Sequence, residues 1–273
     1  MDARPIGVFD SGLGGLTTVK KLTELLPGED IIYLGDTGRV PYGSRSRETI
    51  VKYARQDAAF LAGFDIKAIV IACNTVCSVA YDILERAYDV PVFEVVNAPA
   101  SAAAAATKNG RIGVIGTAAT IGSGAYEEAL KMAGPGLTVF SVPCPLFVPL
   151  AENGRTGDDD VAALAIAEDY LKVLRGSGID TLIMGCTHYP LLRAVILKVV
   201  SKVIGQGVTL VDSGAETARF VANSLHSQDL LSPGGADGTI KYFVTDGIEG
   251  FSALASRFLE SEVNGKVEQI TLE

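Results

Sequence analysis

Two stretches of the chain repeat one pattern: Ala68-Ile69-Val70-Ile71-Ala72-Cys73-Asn74-Thr75 and Thr181-Leu182-Ile183-Met184-Gly185-Cys186-Thr187-His188. Each opens with a short apolar run, typical of a buried strand in a parallel sheet. A small residue, a cysteine and two hydrogen-bonding side chains follow. Because open α/β sheets bind ligands at the carboxyl ends of their strands, we expect each thiol at a ligand site. Two thiols in equivalent places suggest paired chemistry.

A second pair of segments indicates an internal duplication. The strand-like segment Ile6-Gly7-Val8-Phe9-Asp10-Ser11 is echoed by Ile112-Gly113-Val114-Ile115-Gly116-Thr117, and each leads into a helical pattern. The separation is too long for a solenoid repeat and fits two similar α/β lobes that face each other across a cleft. Chance similarity is the alternative, because strand composition is repetitive.

Strand and helix patterns alternate along the chain, which predicts parallel sheets wrapped by helices. We expect two such lobes, related by a pseudo-two-fold axis with the active site between them. A helix-compatible alanine-rich segment follows Asn97, and a fresh strand begins near Val208. The predicted lobes are therefore residues 1–97 plus 208–273, and residues 98–207. A loop is predicted over 227–238. Strands are predicted near 5–9, 30–35, 67–72, 90–96, 111–115, 137–142, 180–184, 207–211 and 240–244.

Composition excludes several classes of protein. The 273 residues include 23 basic and 32 acidic side chains, for a net charge of −9, and no basic stripe runs through them. Nucleic acid is therefore not an expected partner. No apolar run approaches the length of a membrane span. The first predicted strand begins near residue 5, directly after the amino terminus. We expect a cytoplasmic protein that has no membrane partner and forms a homodimer.

The cysteines are Cys73, Cys77, Cys144 and Cys186. Without a signal peptide we expect reduced thiols and no disulfide framework. Zinc bound by Cys73, Cys77, Cys186 and His188 is an alternative, since these are tetrahedral ligand types. The chain has no C-x-x-C pair, and we expect no metal.

The glycine-rich segment from Asp10 to Leu16 follows a strand and opens a helix, as a dinucleotide fingerprint does, and Asp36 stands where a ribose-binding acid belongs. The third glycine position holds Thr17, however, and the Asp10 carboxylate would face a pyrophosphate. A small ligand suits the loop better, with Asp10 and Ser11 accepting from an ammonium group. The alternative is a tight turn with an N-cap aspartate.

The two repeated cysteines are candidate reactive groups. A thiolate is the reactive form, and the amino end of a helix lowers a thiol pKa. We expect this setting for Cys73 and Cys186, with His188 assisting proton transfer, and inert core positions for Cys77 and Cys144. The polar loop from Gly35 to Ser44 would hold a carboxylate through amides and hydroxyls, or form an ordinary turn.

Several motifs in the right order resemble those of glutamate racemases in the aspartate/glutamate racemase group. They cover nearly the whole chain. The matching stretches are Gly7 to Gly15, Asp36-Thr37 with Pro41-Tyr42-Gly43, Cys73-Asn74-Thr75, Gly116-Thr117 with Thr120, and Gly185-Cys186-Thr187-His188-Tyr189-Pro190-Leu191-Leu192.

The resemblance implies an isomerase that needs no cofactor, interconverts L- and D-glutamate, and supplies D-glutamate for peptidoglycan. It implies that Cys73 takes the α-proton of D-glutamate and Cys186 that of L-glutamate, assisted by Asp10, His188 and the carboxylate of Glu152. It further implies that the amino acid is held by Asp10, Ser11, Tyr42, Gly43, Asn74, Thr75, Thr117, Thr187 and His188. Some relatives carry an N-terminal extension for an activating cell-wall precursor. Because only nine residues precede Asp10, we do not expect that regulation here.

Elementary chemistry supports two bases independently of the resemblance. An amino-acid α-proton is weakly acidic, so the site must stabilise carbanion character in a cleft closed to water. Removal of a proton from one face and addition to the other inverts the centre without moving the substrate. Three alternatives remain open: an aspartate racemase, a decarboxylase with a single thiol, and an amino-acid-binding protein without catalysis.

Overall fold

The strands of the computed structural model, which describes residues 1–234, 237–263 and 265–272, are all parallel to their neighbours. The described strands are β1 (Ile6–Asp10), β2 (Ile31–Gly35), β3 (Ala68–Ile71), β4 (Val92–Phe93), β5 (Arg111–Gly116), β6 (Thr138–Pro143), β7 (Thr181–Gly185), β8 (Thr209–Asp212), β9 (Ile240–Val244) and β10 (Val267–Gln269).

The strands form two sheets with one repeated order. The first sheet runs β10-β9-β2-β1-β3-β4, and the second runs β6-β5-β7-β8. The order β2-β1-β3-β4 therefore matches β6-β5-β7-β8, with β3 equivalent to β7. This match confirms the predicted fold class and places Cys73 and Cys186 after equivalent strands.

Helices cover both sheets because apolar residues recur at helical spacing. In α1, for example, Leu16, Val19 and Leu22 are fully buried. The described helices are α1 (Leu16–Leu25), α2 (Arg47–Ala62), α3 (Asn74–Glu85), α4 (Asn97–Ala106), α5 (Ala118–Gly122), α6 (Ala125–Ala133), α7 (Phe147–Glu152), α8 (Val161–Leu171), α9 (Arg193–Val203), α10 (Ser213–Ser227) and α11 (Ile248–Leu259). No described helix combines the length and apolarity needed to cross a bilayer.

The structure corrects two details of the predicted organisation. The strand expected near 207–211 forms as β8, but it pairs with β7 in the second sheet rather than joining the first. Local patterning cannot choose between two sheets that both accept a parallel edge strand. We propose that the boundary between the lobes lies after Asp212.

A further strand, β10, pairs with β9 and was not predicted. The loop predicted over 227–238 includes residues 235 and 236, which lie outside the described residues.

Candidate active site

A cavity of about 380 Å³ lies between the carboxyl ends of the two sheets. Its size is that of a site for a small molecule. Cys73 and Cys186 both line it, although they are 113 residues apart in the chain. The predicted site residues on this cavity are Ser11, Tyr42, Gly43, Cys73, Asn74, Thr75, Thr117, Glu152, Cys186, Thr187 and His188.

Cys73 stands between β3 and α3 and is 5% exposed. Its thiol donates a hydrogen bond to Ser11 Oγ at 3.3 Å. Burial, with the nearby Asp10 carboxyl adding to it, raises the pKa of Cys73 to about 12. The expectation that the helix terminus lowers this pKa is therefore wrong, because desolvation outweighs the helix dipole. Cys73 rests as a protonated thiol.

Asp10 ends β1 and is fully buried below the cavity, so it does not line the cavity wall. One carboxyl oxygen, Oδ2, accepts from the backbone N–H of Gly12 at 2.9 Å. Burial raises the pKa of this carboxyl, and the nearby His188 acts in the opposite direction. Asp10 therefore lies behind the cavity lining, close to Cys73 on one side of the cavity and to His188 on the other.

The side of the cavity opposite Cys73 carries Cys186 and the hydrogen-bonded pair His188 and Glu152. Nδ1 of His188 lies 3.9 Å from Cys186 Sγ and 3.3 Å from Thr187 Oγ1. Nε2 lies 3.1 Å from Oε1 of Glu152, the last residue of α7. Burial acts to lower the pKa of His188, but its contacts with Cys186 and Glu152 outweigh burial and raise the pKa to about 10. At neutral pH the imidazole is therefore protonated and can donate to a sulfur that carries negative charge.

Three threonine hydroxyls from the two lobes meet beside the cavity. Thr75 Oγ1 lies 3.0 Å from Thr117 Oγ1, and Thr117 Oγ1 lies 3.0 Å from Thr120 Oγ1. Thr75 is the second residue of α3 in the first lobe, whereas Thr117 caps α5 of the second. The sequence predicted Thr75 and Thr117 as substrate-binding residues. Thr120 was quoted only as part of a motif, and its contribution follows from the helical turn that brings it back to Thr117.

Two predicted binding residues direct their side chains into the protein. The Asn74 side-chain amide donates to Val95 O at 3.1 Å and to Tyr126 Oη at 2.9 Å, so both of its N–H bonds are used. Tyr42 is 1% exposed, and its hydroxyl bonds to Asp36 and Asp57. The Asn74 amide and the Tyr42 hydroxyl are therefore both engaged inside the protein. The physical reason is that each side chain finds buried polar partners instead.

Apolar side chains close the remainder of the cavity. Val40 comes from the loop after β2, and Pro145, Val148 and Pro149 come from the segment after β6. The sequence analysis did not single out these residues. Their position in the chain could have indicated them, because both segments follow the carboxyl ends of predicted strands. Such a wall excludes water and strengthens the electrostatic interactions inside.

Two residues considered for zinc and for ribose binding, Cys77 and Asp36, have other partners in the structure. The Cys77 thiol donates to Ile71 O at 3.2 Å inside the core, away from the proposed zinc set. Within residues 1–234, 237–263 and 265–272, no group of three His, Cys, Asp or Glu side chains is arranged to hold a metal ion. Asp36, considered for ribose binding, is fully buried and bonds to Arg39 Nε at 2.5 Å and to Thr245 Oγ1 at 2.8 Å.

Repeated β/α lobes with a thiol on each wall of a shared cleft define a class of α/β isomerase. The chain belongs to the Asp/Glu/Hydantoin racemase family, whose model matches residues 6–221. A glutamate racemase of Geobacter metallireducens is 49% identical over 273 residues, which is 100% of this chain and 98% of that relative. This membership makes the protein an isomerase.

Solved structures agree over the whole chain. Glutamate racemase from Francisella tularensis in complex with D-glutamate has a TM-score of 0.91 and 39% identity, over 100% of this chain and 99% of that one. Glutamate racemase from Thermus thermophilus in complex with beta-chloro-D-alanine has a TM-score of 0.88 and 42% identity, with the same coverage.

Proposed function

We propose that the protein interconverts L- and D-glutamate by proton transfer at Cα between two thiols, without a cofactor. One observation carries the proposal: Cys73 and Cys186 follow equivalent strands of two sheets and line one cavity. The full-length similarity to glutamate racemases, one of them in complex with D-glutamate, supports glutamate as the substrate.

The two thiols differ in their surroundings, which assigns them opposite tasks at the start of a turnover from L-glutamate. Cys73 is a protonated thiol with its hydrogen directed to Ser11, so it is poised to donate a proton. Nδ1 of His188 lies 3.9 Å from Cys186 Sγ, and this imidazole, whose pKa is raised to about 10, can donate a hydrogen bond to that sulfur. Cys186 removes the α-proton of L-glutamate, and Cys73 delivers a proton to the other face.

The reverse direction exchanges these tasks. After delivering its proton, Cys73 is a thiolate close to Asp10, and this is the base that D-glutamate requires. Asp10 and Ser11 accept from the substrate ammonium group, whose positive charge would stabilise a thiolate in this buried site. Cys186 then donates with the support of His188 and Glu152. Each thiol carries one proton between the substrate and its own wall.

Stabilisation of the carbanion requires donors around the carboxylates. The hydroxyls of Thr75, Thr117 and Thr187 and the backbone N–H groups near Tyr42 and Gly43 are the candidates. Fixed donors of this kind need no reorganisation during the reaction. Close packing supports their rigidity, since a Cβ added to Gly43 would lie 3.0 Å from Cβ of Thr117 in the other lobe.

The proposal includes a biological setting. D-glutamate would supply peptidoglycan synthesis, as the resemblance implies. A cytoplasmic location follows from the chemistry, because thiols that carry protons must stay reduced. The expected homodimer stays a prediction, which sedimentation equilibrium of the purified protein would test.

Deuterium incorporation tests the two-base reaction. L-glutamate is incubated with the metal-free protein in deuterium oxide, and the enantiomers are separated at low conversion. New D-glutamate should carry deuterium at Cα from its first appearance, while the remaining L-glutamate stays protiated, because each thiol holds a single proton. Early D-glutamate that retained protium would contradict the proposal, since one base would then have carried the proton across.

Variants identify the bases in the same assay. Cys73→Ala and Cys186→Ala should each abolish racemisation, because groups that act as a unit fail together. Circular dichroism must show that both variants fold. Racemisation by folded Cys186→Ala would exclude the two-base mechanism, whereas binding of glutamate without turnover by the unaltered protein would favour the non-catalytic alternative. Incubation with L-aspartate tests the remaining racemase alternative.

A further inference from the structure

The last turn of α11 packs against His188 and Glu152, the hydrogen-bonded pair beside Cys186. The Phe258 and His188 rings lie 5.3 Å apart between centroids, with an interplanar angle of 87°. Phe258 is 1% exposed. It belongs to the helix between β9 and β10 of the first sheet, whereas His188 follows β7 of the second. The contact therefore joins the C-terminal helix to a residue placed in the proton-transfer machinery of the other lobe.

The neighbouring residue contacts the other member of the pair. Nη1 of Arg257 donates to the backbone carbonyl oxygen of Glu152 at 3.4 Å. Two successive residues in the last turn of α11 thus touch His188 and Glu152, which are themselves joined at 3.1 Å. A helix end that served only to fill the core would need neither of these two contacts.

A second residue of the first lobe, Gly14, also packs closely against the imidazole. A Cβ built on Gly14 would lie 2.5 Å from Nδ1 and 2.6 Å from Cε1 of His188, so a side chain has no room there. Thr17 Oγ1 also donates to the Thr187 carbonyl oxygen at 3.0 Å. The imidazole of the second lobe therefore packs closely against Gly14 and Phe258, both of which belong to the first lobe.

We propose that Phe258 is a positioning residue for His188. Its ring holds the imidazole plane so that Nδ1 faces Cys186 while Nε2 faces Glu152, and it helps to keep the imidazole buried. The inference rests on the proposed function, because it concerns the same site. Orientation of the imidazole, rather than stability of the fold, is the main effect of a single aromatic contact. Misplacement of a catalytic group by about 1 Å lowers rates by up to about 100-fold.

Phe251 supplies a matched control on the same helix. It is 3% exposed and packs on Tyr242 at 5.7 Å, within the first lobe. Phe251→Leu and Phe258→Leu remove the same atoms from buried positions of α11. Only Phe258→Leu removes an aromatic ring that contacts His188.

The imidazole can be observed without reference to activity. The chain has two histidines, and the exposed His226 can be replaced by glutamine, so that ¹⁵N-histidine labelling reports on His188 alone. We expect slow solvent exchange of the imidazole N–H hydrogens in the unaltered protein and in Phe251→Leu, and fast exchange with altered ¹⁵N shifts in Phe258→Leu. Phe258→Tyr should restore the spectrum because it keeps the ring.

Kinetics provide the second readout. Phe258→Leu should lower kcat/KM by about 10- to 100-fold and raise the primary isotope effect with α-deuterated L-glutamate, since transfer to Cys186 becomes slower. Phe251→Leu should stay within a few-fold of the unaltered protein. If the leucine variant does not fold, Phe258→Met removes the ring while keeping most of the volume.

The outcomes separate this inference from the proposed function. If Phe258→Leu leaves the His188 signals unchanged, or if Phe251→Leu changes rate and spectrum equally, Phe258 is only a core residue and the inference is wrong. If the unaltered protein does not racemise glutamate, the proposed function fails. The imidazole spectra then still decide whether Phe258 holds His188.

Discussion

The buried carboxyl pair Asp36 and Asp57 leads to a prediction about protonation. The Tyr42 hydroxyl contacts Asp36 Oδ2 and lies 3.1 Å from Asp57 Oδ2, but it has a single hydrogen. Asp36 also accepts from Arg39 Nε at 2.5 Å and from Thr245 Oγ1 at 2.8 Å, which makes it the carboxylate of the pair. Asp57 must then carry a proton and donate it to the Tyr42 oxygen. Burial, followed by the Asp36 charge, raises the pKa of Asp57 well above its usual value.

Asp57→Asn tests this assignment because an amide resembles the neutral acid. Its N–H faces Tyr42, and its carbonyl oxygen accepts from Arg39 Nη2, which lies 2.9 Å from Asp57 Oδ1. We therefore expect the free energy of unfolding at pH 5 to change by less than about 1 kcal/mol. Loss of one partner from a buried ion pair would instead cost about 3–5 kcal/mol. Racemisation should persist, since the loop that carries Tyr42 and Gly43 keeps its support.

The raised pKa of Asp57 predicts the direction in which the free energy of unfolding changes with pH. Between the unfolded pKa of Asp57, near about 4, and its raised folded pKa, the folded state holds a proton that the unfolded state has released. The free energy of unfolding therefore falls as pH rises, by about 1.4 kcal/mol per pH unit in that interval. Asparagine has no such dependence, so Asp57→Asn should gain stability relative to the unaltered protein as the pH rises from 5 toward the raised pKa of Asp57.

Urea unfolding at pH 5, 6 and 7 measures the effect, with Asp36→Asn as the matched control that should lose several kcal/mol. The reasoning would be refuted by a loss of about 3 kcal/mol or more in Asp57→Asn that did not vary with pH, because Asp57 would then be an ionised partner of Arg39.

Four further variants test the site. Cys77→Ala and Cys144→Ala should each keep racemisation within a few-fold, since both thiols lie in the core; loss of turnover in either folded variant would give that thiol a role. Gly14→Ala should lower kcat/KM by about 100-fold, because its Cβ would displace His188, and unchanged kinetics would show that the imidazole has room to move. Asp10→Asn should lower turnover more than it lowers the melting temperature; the reverse result would make Asp10 a helix cap.

Local patterning was sufficient for the repeated strands and the two cysteines. A buried parallel strand is a continuous apolar run, and the residue after it lies at the ligand edge of the sheet, so Cys73 and Cys186 could be placed from the sequence. The same logic found Ser11 and Thr75, whereas Thr117 came from the resemblance. The substrate itself could not be derived this way, and glutamate came from resemblance alone.

Side-chain direction and charge environment were not accessible from local pattern. The sequence predicted a lowered pKa for Cys73, whereas burial raises it, because desolvation depends on what the folded chain packs above a residue. Asn74 and Tyr42 were expected to face the substrate, but they bond to Tyr126 and to the buried acid pair. Their partners come from distant segments that local periodicity does not connect.

The sequence by itself determined the alternation of strands and helices, the duplicated order and the two strand-end thiols, since each depends on residues within a few positions of one another. Only the tertiary structure decided that β8 joins the second sheet, that Tyr42 bonds to a buried acid pair, and that Phe258 reaches His188. These facts depend on contacts between residues far apart in the chain. Such contacts exist only after the two sheets have packed together, and no spacing along the chain encodes them.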